Sequence, residues 1–254
     1  MKEKIAGING IMEALRGKRK IYNIYLQEGQ QNKRLEILLK EAERKGIFVQ
    51  RVPKTKLDQM YKESNHQGIV AQVEQYTYAS VEDLIGLSFQ KKEAPFIIIL
   101  DGIEDPQNFG SIIRTAEAVG AHGIVIPKHG SCPVTETVMR VSAGAAEHLL
   151  IAQETNLSQT MSYLKKQGLW LVGTDSQAEQ SYHEVDWPES VALVIGNEGR
   201  GIRNLVKKNC DFCVNIPMKG KVMSLNAAVA ASLMMYEALR HRSFIKEGLS
   251  KSPS

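Results

Sequence analysis

Six near-continuous apolar runs in the later two thirds of the chain constrain its fold more than any other feature: FIIIL (residues 96–100), GIVI (123–126), HLLI (148–151), LWLV (169–172), VALVI (191–195) and FCVNI (212–216). A strand with one face in water alternates apolar and polar residues, and these do not. Separated by helical segments, they predict a parallel sheet covered on both faces, hence an α/β fold. Ligands of such sheets gather beyond the C-terminal ends of the strands. Four stretches fall on that edge: DGIEDPQNFG after the first run, GTD (173–175) after the fourth, GNEGRG (196–201) after the fifth and PMKGKVMSLN after the sixth.

GNEGRG carries glycines at 196, 199 and 201, which permit unusual backbone angles and close approach of a ligand to main-chain N–H groups. It lacks the lysine of a P-loop and the spacing of the dinucleotide fingerprint. Glu198 would repel phosphate, so a ligand here is less anionic than a nucleotide polyphosphate. The four stretches offer Asn108, Arg114, Glu198, Ser224 and Asn226 as chemically active residues. Arg114 falls on the helix beginning near Asn108, on the side away from Ile112 and Ile113, and a solvated helix face is the alternative reading. Ser224 and Asn226 precede the small-residue helix AAVAASLMMYEAL, where either would serve equally as a cap. No G-x-S-x-G elbow or H-E-x-x-H pair is present, which argues against a serine hydrolase or a zinc hydrolase.

The first 76 residues read as helix, strand, helix, strand, helix, strand, a small α/β unit, and carry 15 Lys+Arg against 9 Asp+Glu. The whole chain has a net charge of only +4, so the remainder is slightly acidic. The cluster Arg16, Lys18, Arg19 and Lys20 suggests a polyanion partner, against the reading of a merely solvated face. Residues 77–94 are polar, with one weak helical piece near 81–87, and read as a linker; residues 95–246 form the second domain and 247–254 a flexible tail. No run approaches a membrane span and no signal-type h-region opens the chain. Three cysteines fit a reducing cytoplasm rather than a disulfide framework. Cys210 and Cys213 have C-x-x-C spacing without a second pair, and read as strand packing rather than as a metal or redox centre.

Three ordered motifs, LDGIEDPQNFGSIIRTAEAVGAHGIVIP, LVIGNEGRGI and IPMKGKVMSLNAAVAASLMMYEALRHR, resemble those of the SpoU/TrmH family of RNA ribose 2′-O-methyltransferases. The N-terminal unit resembles the substrate-binding domain, similar to ribosomal protein L30e, of bacterial members that methylate a guanosine of 23S rRNA. Ala228 stands where the family more often has serine. The resemblance implies a C-terminal domain with a deep trefoil knot, a homodimer joined near the active site, and S-adenosylmethionine held by Gly196, Ile216 and Leu225, with Gly173 and Thr174 closing the other side. It also implies that Arg114 acts on the ribose hydroxyl, with Asn108 and Ser224 holding Arg114 and the ribose, and Glu198 orienting the loop; Asn226 completes the set. No metal is implied. Adenosylmethionine carries no phosphate and a positive sulfonium, which suits a glycine-edged loop bearing a carboxylate. Other substrates are a tRNA guanosine or an rRNA adenosine, and other classes are a non-catalytic RNA-binding protein or a nucleotide-binding oxidoreductase.

Overall fold

The computed structural model describes residues 2–17, 19–62, 66–222 and 224–246; Lys18 and the tail 247–254 lie outside the described residues. The chain divides into two compact units, one of Met1–Thr77 with Val134–His148, the other of Tyr78–Pro133 with Leu149–Ser254.

The first unit has a four-stranded sheet of β1 (Lys2–Ala6), β2 (Ile21–Gln27), β3 (Phe48–Val52) and β4 (Ile69–Glu74), in the order β1-β4-β2-β3. β1 is a strand that its charged sequence, KEKIA, conceals; it pairs antiparallel with β4. Three helices follow the expected segments: α1 (Ile8–Arg16), α2 (Lys33–Arg44) and α3 (Lys54–Met60). Asn32 caps α2 by accepting from the main-chain N–H of Leu35 at 2.8 Å. Leu35, Leu38 and Ala42 of α2 bury against Ile11, Ala14 and Leu15 of α1 and the strand residues Ile24, Leu26 and Val73.

Residues 134–148 complete this unit with α6 (Glu136–Val141) and a 3-10 turn, Ala145–Glu147. Glu147, its side chain 1% exposed, receives the guanidinium of Arg19, which also pairs with Glu3. His148 Nε2 meets Glu13 Oε2 at 2.9 Å. This piece lies between two strands of the other unit in sequence, and neither composition nor spacing announced where it packs.

The second unit contains a six-stranded, wholly parallel sheet, in the order β10-β8-β9-β5-β6-β7, of β5 (Phe96–Asp101), β6 (Gly123–Pro127), β7 (Ile151–Glu154), β8 (Trp170–Thr174), β9 (Val191–Gly196) and β10 (Phe212–Val214). β7 begins only at Ile151, the last residue of HLLI, rather than spanning that run as expected, because the 3-10 turn and its hydrogen bond from His148 N to Ala145 O occupy the residues before it. α5 (Pro106–Ala118) and α9 (Ala227–Lys246) pack on each other, while α7 (Leu157–Lys166) and α8 (Asn204–Lys207) bury Leu157, Met161, Leu164 and Val206 in a core shared with Ile97, Ile99 and Val194. Between β8 and β9 there is no helix among the described residues, contrary to the expected alternation.

The polar passage 77–94, expected as a linker, contains α4 (Val81–Lys91). A capping box fixes its start: Ser80 Oγ accepts from Asp83 N at 3.1 Å, and Asp83 Oδ2 accepts from Ser80 N at 2.8 Å. Val81, Leu84 and Ile85 enter the same core as the sheet residues Ile97 and Val125. Three apolar side chains at helical spacing suffice to anchor a helix whose remaining positions are solvated.

Candidate active site

The loops after β5 and β9 meet because those strands are neighbours in register, with Asp101 opposite Gly196. Asp101 is fully buried and accepts from Arg203 Nε at 2.7 Å and from Arg203 N at 2.8 Å, while Arg203 Nη2 lies 2.6 Å from the same carboxylate. Asn197 Nδ2 donates to Gly102 O at 2.9 Å, and Asn197 Oδ1 accepts from Gly199 N at 2.9 Å. Main-chain bonds from Asn197 N to Gly201 O and from Gly201 N to Asn197 O close residues 197–201 into a tight turn, with Gly201 at φ +65°. The loop is therefore built and tied to β5 by its own chain.

Gly196 answers to this construction first. A Cβ there would lie 2.2 Å from Gly201 C and 2.3 Å from Ile202 N, atoms that cannot move aside. The glycine is demanded by the fold whether or not a ligand approaches it.

Onto this turn come Asn108 from α5 and Asn226 from the start of α9. Asp105 caps α5, accepting from Asn108 N at 2.9 Å, and thereby places the asparagine in the first turn. Asn226 caps α9, its Oδ1 accepting from Ala228 N at 3.0 Å and Val229 N at 3.2 Å. Asn108 Nδ2 donates to Glu198 Oε1 at 2.8 Å; Asn226 Nδ2 donates to the same oxygen and to Asn108 Oδ1, the latter at 2.8 Å; Ala227 N donates to Glu198 Oε1 at 3.0 Å. One carboxylate oxygen thus receives three donors, and its twin, on an exposed side chain, has no protein donor among the described residues.

Three of the five residues expected to carry chemistry therefore form one cluster joining three loops. Arg114 is exposed on α5, between the buried Ile113 and the half-buried Thr115, and makes no hydrogen bond or ion pair among the described residues. Here the Asn108 amide engages Glu198 and Asn226 rather than Arg114. Ser224 is exposed and joins neither the cluster nor the α9 cap, which Asn226 supplies.

Of the residues expected at the cofactor, Gly173, Thr174 and Gly196 end the neighbouring strands β8 and β9, Ile216 follows β10 and Leu225 precedes α9. Gly173 and Thr174 end β8, with Thr174 Oγ1 donating to Val194 O at 3.3 Å. Gly173 pairs in register with Cys213, and a Cβ on it would lie 2.9 Å from the sulfurs of both Cys210 and Cys213. Ile216 and Leu225 are half-buried, at either end of a stretch whose main chain, from Pro217 to Leu225, makes no main-chain hydrogen bond among the described residues. Unspent backbone donors and acceptors beside an apolar strand edge, with a carboxylate in the neighbouring loop, suit an adenosine attached to a positive sulfonium.

Of the expected RNA-binding residues, Arg19 is committed to Glu147 and Glu3 and its side chain is 11% exposed, which withdraws it from a partner. Arg16 is exposed but paired with Glu13 at 2.9 Å, and Lys20 is exposed with its Nζ 5.4 Å from the Tyr22 ring centre. Asp101, Asn197 and Arg203 are the residues that the sequence reading missed. The signal was there, an arginine just beyond GNEGRG and an aspartate ending an apolar strand, but only the strand register pairs them.

The profile of the SpoU rRNA methylase family matches residues 95–236, and that of the RNA 2′-O ribose methyltransferase substrate-binding domain matches residues 4–79. Bacillus subtilis YacO, whose name places it among TrmH family tRNA/rRNA methyltransferases, is 47% identical over 243 residues, covering 96% of this chain and 97% of its own. Two solved structures are similar over most of the chain. The SpoU methyltransferase AviRb of Streptomyces viridochromogenes, in complex with AdoMet, is 26% identical with a TM-score of 0.79, covering 95% of this chain and 91% of its own. The AdoMet-bound rRNA methyltransferase of Sinorhizobium meliloti is 26% identical with a TM-score of 0.78, covering 94% and 87%. The chain belongs to the SpoU/TrmH family of RNA methyltransferases.

Proposed function

We propose that this chain methylates the 2′-hydroxyl of a ribose in RNA, using S-adenosylmethionine, and that its substrate is a guanosine of 23S rRNA. The observation that carries the reading is the cluster of Asn108, Glu198 and Asn226, which joins three loops and leaves Arg114, on the helix that bears Asn108, unpaired among the described residues. The likeness of both units to an AdoMet-bound rRNA methyltransferase supports an rRNA substrate over a tRNA guanosine.

Gly196, Ile216 and Leu225, with Gly173 and Thr174, would hold the cofactor through main-chain groups. When bound, it supplies the methyl group. Arg114 is a guanidinium with no lone pair to offer near neutrality, so it serves as a fixed cation that clamps an adjacent phosphate and stabilises charge developing on the ribose oxygen. Glu198 and the two asparagines hold the loops that set the distance between hydroxyl and methyl donor, and Ser224 is free to meet the ribose. The chain acts in the cytoplasm as a homodimer with the trefoil-knotted topology of its family. Exposed Val229, Leu233 and Tyr236 follow one another at i, i+4 and i+7 on α9, an apolar stripe that supports the dimer.

Mapping ribose methylation in total RNA from cells with and without the gene tests the proposal. Loss of one 23S rRNA mark at a guanosine is expected. A lost tRNA mark or rRNA adenosine mark would redirect the substrate, and an unchanged map would leave a non-catalytic RNA-binding protein.

A further inference from the structure

A cleft of about 680 Å³ opens at one end of the four-stranded sheet. It is lined by the end of β2 (Gln27), the loop into α2 (Gln30, Asn32), the outer face of α3 (Lys54, Asp58), the turn before β4 (His66, Gln67, Gly68) and Ile8 of α1. That volume lies within the range of pockets that enclose small organic ligands.

The walls are fixed from behind. His66 is buried, and its Nδ1 accepts from Gly68 N at 2.9 Å, which leaves Nε2 to donate to Asp58 Oδ1 at 2.8 Å. The imidazole thus ties α3 to the turn and engages the one carboxylate of the lining among the described residues. Gln67 stands at φ +50°, an unusual angle for a residue with a side chain. Gly68, at φ +74°, lies directly against the Gln30 side chain, whose Oε1 stands 1.5 Å from where a Cβ would be.

The chemistry of the lining is that of carboxamides. Gln27, Gln30, Asn32 and Gln67 each carry a donor and an acceptor side by side, the complement of a nucleobase edge. Gln30 Nε2 donates to Gln67 O at 2.7 Å, while Gln30 Oε1 is buried with no hydrogen-bond partner among the described residues. An acceptor left this way within a built wall points to a ligand donor, met when the amide turns outward. Asn32 spends its oxygen on capping α2 and keeps its NH₂ for a ligand. Lys54 is exposed, and α1 begins at Gly7 with no side-chain cap, so the cleft favours one negative charge, not several.

We infer that this cleft binds an unpaired nucleotide of the RNA substrate, its base edge read by the carboxamides and its phosphate placed beside Lys54. The inference rests on the RNA reading above. A duplex spends the Watson–Crick edges of its bases on pairing and keeps their other polar edges in a deep, narrow major groove, whereas an unpaired base is free to leave its stack.

The test uses the full chain and 23S rRNA transcribed with 4-thiouridine. Photo-crosslinks are expected on peptides containing residues 27–32, 54–58 or 66–68, from nucleotides that chemical probing finds unpaired. In binding titrations, Lys54→Glu should weaken the complex about tenfold and flatten its salt dependence, as loss of a phosphate contact does. Gln30→Ala should weaken it by a similar factor with the salt slope unchanged, since no charge is lost. Lys40→Glu, the same charge change at an exposed α2 position outside the cleft, should do little. S-adenosylmethionine affinity should stay constant in all three. Crosslinks confined to other peptides, wild-type RNA affinity in both cleft variants, or equal losses in Lys54→Glu and Lys40→Glu would each overturn the cleft while leaving the methyltransferase reading intact. A wild-type chain that binds no RNA would instead overturn both.

Discussion

Asn108 Nδ2 donates to Glu198 Oε1 at 2.8 Å across 90 residues of sequence, and this bond joins the loop after β5 to the loop after β9. Glu198 is solvent-exposed, so its share in stability is modest. Asn108→Ala and Glu198→Ala should each lower unfolding free energy by about 1 kcal/mol, and their double mutant should show a coupling of at least ~0.5 kcal/mol. Methylation should suffer more than stability in both. Denaturant titration and single-turnover assays on the same four proteins check this; additive losses would mean that the two loops are held together by other contacts.

Arg114 has no protein partner among the described residues, so its removal costs the fold little. Arg114→Ala should leave the melting temperature and cofactor affinity nearly unchanged while single-turnover methylation at saturating RNA falls on the order of 10² to 10³. Arg114→Lys keeps a charge but loses the planar fork and should restore activity only in part. A lysine variant that overtakes arginine at high pH would show that the side chain acts as a base.

The pair Arg203 and Asp101 is asymmetric: the Asp101 side chain is fully buried and that of Arg203 is 59% exposed. Arg203→Ala strands a charge in the interior and should cost about 3 kcal/mol. Asp101→Ala frees an arginine that water can solvate, and its cost should be smaller despite the lost hydrogen bonds. Urea unfolding of both variants orders the two, and the reverse order would contradict the burial argument.

A hydrogen bond from the Cys210 thiol holds Cys213 well below the usual thiol range, at about 7, while the same contact and burial push Cys210 up. Cys213 is therefore an acid whose charged form the fold favours. Alkylation by iodoacetamide, read by peptide mass, should rise with a midpoint near pH 7 at Cys213 and lag at Cys210. Cys210→Ala removes the donor and should move that midpoint upward. A Cys213 midpoint near 9 in the unaltered chain would rule the thiol–thiol bond out.

Leu233 and Tyr236 lie exposed on α9. Leu233→Asp should convert the proposed dimer to a monomer in sedimentation experiments, with helical content unchanged. A wild-type chain that sediments as a monomer would remove the dimer from the functional reading.

The sheet was legible because FIIIL and VALVI are apolar at every position, a signature that no amphipathic helix shares. Asn108, Glu198 and Asn226 were legible as loop residues, and their meeting followed from which strand ends they occupy. α4 was legible only as a weak helical piece near 81–87 within a passage read as a linker, because its three anchors are diluted by polar neighbours and its start rests on a Ser80–Asp83 capping box too short to stand out. Arg19 looked free in a basic cluster; its partner Glu147 is 128 residues away, a distance over which charge pairing cannot be read. HLLI mistook an apolar approach to the sheet for the strand itself, since burial of Leu149 does not require extended pairing.

The first unit takes its last piece from residues 134–148, and this bears on how the protein is made. Synthesis delivers Thr77 roughly seventy residues before His148, which at about 5–20 residues per second is a delay of several seconds. During that interval Arg19 and Glu3 are exposed to solvent without Glu147, and Ile11 and Leu15 await only helix and sheet neighbours already made. The nascent amino-terminal segment thus has its helix–sheet core but lacks both the ion pair at Glu147 and the apolar cover of Val138 and Met139. It reaches its final form only after the first two strands of the methyltransferase sheet have left the ribosome, so order of synthesis and order of folding run interleaved along this chain.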